Sequence, residues 1–429
     1  MRRVVVTGVG VMASNGVGRE TFWSACTEGV SGIRPIRAFD ASCHPVRVAG
    51  EVPDHDLASL VPASCRKHFK NMSRSARLGL GAAGLAVTDS GLDFESDAVD
   101  PERVGVMIGT GVVPVDLAEL SPMLARSIAE TGELDCTRMA VPGEGSPVYP
   151  MWLLKHLPNM VASYISMAFN AQGPNNTIVT ACVAGTQAIG EAYRTIARGE
   201  ADVMLAGGSD SRIDPLMLLG YAAIGALSPA TGTPSEVSRP FDRSRDGFVI
   251  AEGAAFLVLE PLERARARGA TVYGEVSGYG RNSDAFHITA PSPGGIGAAT
   301  CMQQALDDAG LDTSDIGHIN AHGTSTPMND SAEAEAIRKV FGDDAPPVTG
   351  SKGVLGHMVG AAGAAEAVIG LRSMADGVVP ATANTEHLGD DIGLDVVIGT
   401  EREIGAKPVI SNSFGFGGHN ASLVLTLTA

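Results

Sequence analysis

Short runs of β-branched and other apolar residues alternate along the chain with longer segments that have helical apolar spacing. Residues 104–108 form one such run, and residues 188–197 form one such segment, with apolar side chains recurring every three or four positions. Alternation of strands with helices of about 10–15 residues is typical of βαβ units. The pattern therefore predicts an α/β protein whose strands pair largely in parallel.

Four segments in the first part of the chain have weak counterparts, in the same order, in the second part. Strands that run into a glycine-containing turn match one another, and so do helices that stop at a glycine. This order predicts two homologous halves, residues 1–270 and 271–429, with residues of about 112–176 inserted into the first half. The matched segments are residues 6–10 with 276–280, 83–93 with 304–312, 104–110 with 316–324, and 177–180 plus 184–198 with 347–351 plus 360–374.

The charge balance excludes some classes of partner. The formal net charge is −17, from 31 basic and 48 acidic residues, whereas nucleic-acid backbones and anionic membranes bind clustered Lys and Arg. No apolar run reaches the roughly 18 residues that suggest a membrane-spanning helix. Residues 4–12 superficially resemble a short signal peptide, but Thr7 and Gly8 interrupt them. A buried first strand that ends in a glycine turn is the better interpretation.

Six cysteines are scattered through the 429 residues, and none forms a C-x-x-C pair. Zinc ribbons and thioredoxin-type redox motifs are therefore disfavoured. A chain of this length seldom needs disulfides to stabilise its core, so we expect reduced thiols and a cytoplasmic location.

One of these cysteines, Cys182, lies where a predicted strand turns into a predicted helix. The strand is residues 176–179, and the helix follows in residues 188–197. The partial positive charge at a helix N-terminus favours a thiolate, so Cys182 is a candidate nucleophile. The alternative is a small thiol buried in a packed helix start.

Two histidines lie at comparable junctions in the second half. His322 follows an apolar strand and precedes a polar turn, although it could equally be a satisfied histidine at a strand end. Lys352 and His357 flank a glycine-rich turn that leads into a helix of small residues. The turn lacks the Gly-Lys-Ser/Thr ending of a phosphate-binding loop. Close helix packing alone could also explain the small residues.

A fourth stretch, residues 412–420, places glycines around two phenylalanines between two strands. Such a turn can expose backbone N–H groups to an oxyanion, or it can be a hairpin with phenylalanine anchors. Cys182, His322 and His357 each lie where a secondary-structure element meets a turn in a chain of two homologous halves. Together they match a nucleophile with two imidazole partners. Zinc binding by the same three residues is disfavoured because no short ligand spacing is present, so no metal is expected.

At these positions the chain resembles the β-ketoacyl-acyl carrier protein synthases of the elongating branch of the thiolase-like superfamily. The resemblance covers nearly the whole chain, and it implies a duplicated thiolase-like fold layered α-β-α-β-α with two pseudo-symmetric halves. It rests on Thr-Ala-Cys182, Arg239-Pro-Phe-Asp242, Arg245-Asp-Gly-Phe248, Glu252-Gly-Ala254, Asn320-Ala-His322-Gly-Thr-Ser-Thr326, Lys352 to His357, and Asn412-Ser-Phe-Gly-Phe-Gly-Gly418.

The resemblance implies a role for each candidate in a decarboxylative condensation. Cys182 would receive the acyl chain as a thioester, and His322 and His357 would assist loss of CO2 and stabilise the enolate. Lys352 would orient the histidines electrostatically. The backbone amides of Cys182 and Phe416 would hold the oxyanion, and Phe416 would also gate the acyl pocket.

The resemblance also implies a supporting shell. Thr324, Thr326 and Thr289 would contact the pantetheine arm of the substrate, and Glu333 and Asp330 would support the site from behind. No cofactor is implied, because the substrates are carried on the phosphopantetheine of acyl carrier protein.

The implied partners are acyl carrier protein and a second subunit, which is either a copy of this chain or a chain-length factor. The densest basic run, with Arg66, Lys67 and Lys70, is similar in position to the surface that meets the acidic carrier protein, although it could be only a solvated helix face. Residues 183–184 and the long 112–176 region depart from the family pattern, which leaves the acyl substrate open.

The sequence leaves four candidate functions to compare. A condensing enzyme of fatty-acid synthesis is favoured, and a type II polyketide or polyene ketosynthase paired with a chain-length factor is the alternative. A degradative thiolase usually uses a second, C-terminal cysteine, whereas the last cysteine here is Cys301. A catalytically inactive chain-length subunit is disfavoured because Cys182, His322 and His357 are all present.

Overall fold

The structure, a computed structural model, describes residues 2–96, 98–129, 131–138 and 150–428. Within these ranges the chain forms fifteen strands: β1 Val4–Ala13, β2 Gly16–Val17, β3 Ile33–Pro35, β4 Val48–Gly50, β5 Val104–Gly109, β6 Asn175–Ile178, β7 Val203–Asp210, β8 Gly253–Pro261, β9 Gly274–Ser283, β10 His318–Asn320, β11 Val348–Thr349, β12 Val378–Val379, β13 Arg402–Glu403, β14 Val409–Gly415 and β15 His419–Thr426.

The same ranges contain thirteen α-helices: α1 Arg19–Thr27, α2 Ala63–Arg66, α3 Arg74–Ser90, α4 Leu117–Ser127, α5 Trp152–Lys155, α6 Met160–Ala168, α7 Ala184–Ala197, α8 Pro215–Ala223, α9 Leu262–Ala267, α10 Ile296–Ala309, α11 Pro327–Phe341, α12 Lys352–Leu355 and α13 Ala362–Asp376.

The main sheet has eleven strands, in the order β11-β10-β14-β15-β9-β1-β8-β7-β5-β6, with β2 paired to β1. The order is a palindrome when β9, β15, β14, β10 and β11 are matched with β1, β8, β7, β5 and β6. Three of the four repeats in the sequence include strands that this matching pairs, β1 with β9, β5 with β10 and β6 with β11. The fourth falls on helices α3 and α10, which pack on the matched strands β1 and β9. The chain therefore has the duplicated, pseudo-symmetric architecture that the repeats indicated, and the two halves of the sheet meet where β1 pairs with β9.

The prediction of largely parallel pairing is wrong, because the sheet is mixed. Strands β5, β6 and β7 pair in parallel, as do β10, β11 and β14, since helical or long connections link them. The pairs β7–β8, β14–β15, β1–β8, β9–β15 and β1–β9 are antiparallel. The alternating pattern in the sequence covers the parallel crossover units and does not show how the four central strands, β15, β9, β1 and β8, pair.

Helices form layers on and between the two halves of the sheet. Helix α3 packs on β1 and β8, and α10 packs on β9 and β15. Helices α7 and α13 contact each other and strands of both halves, and nearly all of their residues are buried. Helix α7 begins just after Cys182, and α13 begins just after the turn that contains His357. The contact between the two helices therefore brings Cys182 and His357 together.

Glycines inside the strands explain how closely the outer helices approach. A Cβ on Gly8 or Gly10 would lie within 2.3 Å of a carbonyl oxygen of α3, and one on Gly278 or Gly280 would lie within 2.2 Å of a carbonyl oxygen of α10. The predicted buried first strand is present. β1 is buried from Val4 to Ala13, so Gly8 and Gly10 lie inside it, and a turn at residues 14–15 leads to Gly16. Close backbone packing, equivalent in the two halves, accounts for the glycines.

The long predicted insertion contains α4, α5 and α6, and residues 139–149 within it lie outside the described residues. The boundary predicted between residues 270 and 271 falls in the connection between α9 and β9. In the part of the chain that the structure describes, no helix combines the length and the apolar character that crossing a bilayer requires. All six cysteines lie in that part, and no disulfide bond joins any two of them.

Candidate active site

Cys182 lies at the entrance of a central helix, on a tight turn. The turn is the 3-10 helix Ala181–Val183, which leads directly into α7. Ala181 adopts a positive φ of 52°, an uncommon conformation for a residue with a side chain. The turn leaves the thiol only 8% exposed and close to the β14–β15 hairpin, where the Phe416 amide donates a hydrogen bond to Sγ.

The two histidines predicted from the second half meet this thiol. The His357 Nε2 atom lies 3.0 Å from the Cys182 sulfur, and the rings of His322 and His357 are 5.4 Å apart and nearly perpendicular. One nitrogen from each histidine and the sulfur all lie within 4.8 Å of one another. The structure therefore brings the nucleophile candidate and both imidazoles into one cluster, and all three side chains are buried.

Two phenylalanines that the sequence did not single out hold the imidazoles in place. The Phe248 ring meets His357 edge-on at 5.0 Å between centroids, and the Phe414 ring meets His322 at 6.1 Å. Edge-to-face packing restricts the rotation of both rings. Phe248 and Phe414 lie in residues 245–248 and 412–418, but no local pattern in these segments predicts a contact with the histidines.

The protonation state of the Cys182 thiol differs from the thiolate that the sequence predicts. Burial raises the pKa of Cys182 to about 11, while the positive charges of Arg212 and Lys352 act in the opposite direction. Burial also holds the pKa of His322 and of His357 well below the usual value. The expectation of a thiolate is therefore wrong, because desolvation outweighs the favourable end of the helix. The cluster pairs a neutral thiol with neutral imidazoles.

The raised thiol pKa predicts a distinctive response to pH. Iodoacetamide reacts with the thiolate only, so its rate of reaction with Cys182 should rise about tenfold per pH unit between pH 7 and pH 10, without a plateau. Exposed Cys43 and Cys136 also react, so each site is followed separately by peptide mass. A plateau near neutral pH at Cys182 would instead show that the thiol has a lowered pKa.

Lys352 lies behind His322 in a fully buried ion pair. Its Nζ donates to Glu366 Oε1 and to the His322 carbonyl oxygen, and it lies 3.3 Å from His322 Nδ1. Burial raises the pKa of Glu366, and the charge of Lys352 opposes that rise. Glu366 was not predicted, because it lies among small residues of α13 where its inward orientation is not visible in sequence.

We expect this ion pair to matter for both stability and turnover. Lys352→Met leaves the Glu366 carboxylate buried and unpaired, which should cost about 3–5 kcal/mol of unfolding free energy. The double variant Lys352→Met with Glu366→Gln should regain much of that stability but not the activity, because the charge beside His322 stays absent. Urea unfolding followed in parallel with turnover separates the two effects. Equal loss of stability in the single and double variants would contradict the pairing.

Glu333 and Asp330 occupy the supporting positions. The Glu333 carboxylate accepts hydrogen bonds from the backbone N–H groups of His322 and Gly323, both at 2.8 Å. Burial raises the pKa of Glu333 to about 7, although these two donors oppose the rise. Asp330 accepts a 2.8 Å bond from the Phe241 amide. Glu333 thus fixes the backbone that carries His322, and Asp330 fixes the neighbouring loop at Phe241.

A cavity of about 350 Å³ opens from the cluster towards the surface. Thr324, Thr326 and Thr289 line it together with the catalytic candidates and Phe416. The hydroxyl groups of Thr324 and Thr326 lie 2.8 Å apart. The half-buried Phe416 side chain lies in the hairpin turn between β14 and β15, and Gly417 and Gly418 give that turn its positive φ values.

The three basic residues assigned to carrier-protein contact lie elsewhere. Arg66 ends α2, Lys67 follows it, and Lys70 belongs to the next short turn. All three are exposed, and they do not line the 350 Å³ cavity. Their role as a docking surface stays a prediction.

Two family models match the chain over most of its length. The model described as "Beta-ketoacyl synthase, N-terminal domain" matches residues 1–265, and "Beta-ketoacyl synthase, C-terminal domain" matches residues 273–386. The chain belongs to the β-ketoacyl synthase family. It is an acyltransferase of the condensing type, and the resemblance seen in the sequence is confirmed.

Relatives and solved structures agree with this membership. The chain is 40% identical to 3-oxoacyl-[acyl-carrier-protein] synthase 2 of Coxiella burnetii, with 99% of this chain and 98% of the relative covered. It is 39% identical to the enzyme of the same name from Synechocystis, with 98% and 97% covered.

Among solved structures, a β-ketoacyl synthase from Burkholderia phymatum matches with a TM-score of 0.89 and 32% identity, and the ishigamide ketosynthase/chain length factor with 0.86 and 34%. Both matches cover the whole of each chain, so the thiolase-like fold class is confirmed.

Proposed function

We propose that this β-ketoacyl synthase extends an acyl chain by two carbons, taking malonyl-acyl carrier protein as the extender. The single observation that carries the proposal is the buried cluster in which the Cys182 sulfur meets His357 at 3.0 Å with His322 beside it. A thiol and two neutral imidazoles at one cavity are the groups that acyl transfer followed by decarboxylation requires.

The first half-reaction moves the acyl chain to the enzyme. His357 accepts the thiol proton, and the Cys182 sulfur attacks the acyl thioester carbon. The bond from that carbon to the pantetheine sulfur breaks, and the pantetheine thiol leaves with a proton. The Phe416 amide donates to the sulfur, and the Cys182 amide lies close to Gly415 in the same hairpin. We assign these two amides to stabilisation of the tetrahedral oxyanion.

The second half-reaction forms the new carbon–carbon bond. The malonyl thioester loses its terminal carboxylate as CO2, and negative charge develops on the thioester oxygen. Neutral N–H donors on His322 and His357 stabilise this enolate without a metal. The enolate carbon then attacks the Cys182 thioester and releases the sulfur. We propose that no cofactor takes part beyond the phosphopantetheine that carries the substrates.

The pathway and partners follow from the relatives. Two relatives carry the name 3-oxoacyl-[acyl-carrier-protein] synthase 2, which supports a role in fatty-acid-type elongation and a cytoplasmic location. One solved neighbour is a type II polyketide acyl-carrier protein in complex with its ketosynthase, and another is a ketosynthase with its chain length factor. We therefore propose acyl carrier protein as the partner, and a homodimer or a heterodimer with a chain-length factor as the assembly.

The test is a reconstituted condensation. The purified chain is incubated with malonyl- and octanoyl-acyl carrier protein, and the products are measured by intact mass. A 3-oxodecanoyl product on the carrier protein, with CO2 released, supports the proposal. Acylation without any two-carbon extension, in the presence of each candidate partner subunit, would contradict it.

The exposed basic run provides a separate prediction about the carrier protein. Lys67→Glu combined with Lys70→Glu should lower the rate of acyl transfer from carrier protein about tenfold at low salt, because rim charges set the association rate. Transfer from a pantetheine thioester, which lacks the acidic protein, should not change. Lys407→Glu, an exposed lysine in the second half, is the matched control. Unchanged transfer from carrier protein would place the docking surface elsewhere.

A further inference from the structure

A polar network of Asp210, Arg212 and Tyr221 lies close to the catalytic cysteine. Arg212 makes an ion pair of 2.9 Å with Asp210 at the end of β7, and its Nη1 also donates to the Tyr221 hydroxyl oxygen. Both Asp210 and Arg212 are buried. A Cβ on Gly111 would lie 1.6 Å from an Arg212 nitrogen, so the chain leaves space for the guanidinium there.

A chain of aromatic contacts links this network to the catalytic residues. The Tyr221 ring meets Phe248 edge-on at 5.9 Å, and Phe248 meets His357 at 5.0 Å. Tyr221 packs against the same apolar cluster that contains Cys182 and Phe248. Arg212 also acts on the cysteine directly, because its positive charge opposes the burial that raises the pKa of Cys182.

The direction of the Arg212–Tyr221 bond fixes what the tyrosine offers to a ligand. A guanidinium only donates, so the Tyr221 oxygen is the acceptor in this bond. The proton of the hydroxyl therefore points away from Arg212 and is left to donate to another group. A hydroxyl that accepts a charge-assisted bond is also a stronger donor itself.

An acyl chain on Cys182 has one direction in which to extend. The open side of the catalytic cavity, with Thr324 and Thr326, is needed by the incoming malonyl thioester. The other side is the apolar cluster that contains Cys182. Phe39 and Ile213 pack against this cluster and also line a second cavity of about 810 Å³. That second cavity is not an alkyl pocket, because its walls include Arg37, Arg74 and Lys155 and several carboxylates.

We propose that Tyr221, held by Arg212 and Asp210, determines substrate specificity by donating a hydrogen bond to an oxygen carried by the acyl chain on Cys182. The enzyme then prefers acyl chains that bear a carbonyl oxygen over saturated chains of equal length. This inference rests on the proposed acylation of Cys182, and it adds to that function a preference for oxygen-bearing acyl chains.

The discriminating step is acyl transfer to the enzyme. The Cys182 sulfur forms a bond to the acyl carbon, the bond to the pantetheine sulfur breaks, and the pantetheine thiol leaves with the proton. The Tyr221 donor is not consumed in this step. A chain without an acceptor covers the half-buried Tyr221 hydroxyl without accepting its proton, and a donor left unpaired on loss of water is unfavourable. The preference should therefore appear in the acylation rate.

The experiment compares octanoyl, 3-oxooctanoyl and 5-oxooctanoyl thioesters of pantetheine, with acylation of Cys182 in the full chain followed by intact mass. The wild type should acylate with at least one oxo chain about tenfold faster than with octanoate, as expected for one hydrogen bond to a polarised group. Tyr221→Phe and Arg212→Met should bring that ratio to within about twofold of unity.

Tyr193→Phe is the matched control, since Tyr193 is another buried tyrosine beside an arginine but bonds Ser277 in the core. It should keep the wild-type ratio. Tyr221→Phe tests the proposal even where Arg212→Met fails to fold. Equal rates for all three thioesters in the wild type, or an unchanged ratio in Tyr221→Phe, would overturn the specificity role and leave the acylation intact. Failure of every thioester to acylate Cys182 would overturn the proposed function itself.

Discussion

Cys182→Ala should abolish both acyl-enzyme formation and condensation, with a loss of at least about a thousandfold, because no other group in the cluster can form the thioester. The measurement is a paired assay of intact mass after incubation with acyl-carrier protein and of 3-oxoacyl product. Decarboxylation of malonyl-carrier protein should survive in part, because His322 and His357 keep their N–H donors.

Cys301→Ala is the matched control for this substitution. Cys301 is also fully buried, and burial likewise raises its pKa, to about 12. It lies on α10, away from the cavity. It should therefore keep both activities. Condensation that persists at the wild-type rate in Cys182→Ala would contradict the assignment of the nucleophile.

Replacing the two histidines separately should divide the reaction into its halves. His322→Ala should slow malonyl decarboxylation about a hundredfold or more and change acylation of Cys182 much less, because no hydrogen bond joins His322 to the sulfur. His357→Ala should slow both steps, since its Nε2 lies 3.0 Å from the sulfur that must lose a proton. Single-turnover acylation and CO2 release measure the two steps independently.

His318→Asn serves as the control for the loss of a buried imidazole. His318 lies at the start of β10, bonds Ser373, and has its pKa lowered to about 3 by burial. It does not line the cavity. Its replacement should leave the ratio of decarboxylation to acylation unchanged. An identical loss of both steps in His322→Ala and His357→Ala would show that the histidines do not have separate roles.

Cys182, His322 and His357 were predictable from sequence because their positions depend on local secondary structure. Cys182, His322 and His357 each follow an apolar strand or a glycine-rich turn and precede a helix, and the repeats indicated that two halves would bring such junctions together. The backbone fixes these positions, so a single sequence contains enough information to find them. Thr324 and Thr326 were accessible only through the family resemblance.

The remaining features depend on long-range packing that a linear pattern does not contain. Glu366 and Arg212 read as ordinary charged residues in sequence, and only tertiary structure shows that both are buried beside the catalytic groups. The thiol pKa was predicted with the wrong sign, because the sequence shows the nearby helix start but not the loss of water around Cys182. The mixed strand pairing was missed for a similar reason, since it depends on how distant strands meet.

Peptide mapping of the acylated enzyme tests the central assignment most directly. The chain is incubated with an acyl-carrier protein, quenched in acid, digested and searched for the acyl mass on every cysteine-containing peptide. We expect the adduct to be confined to the peptide bearing Cys182 and to be discharged when malonyl-carrier protein is added. An adduct on a different residue, or one at Cys182 that malonyl-carrier protein does not discharge, would contradict it.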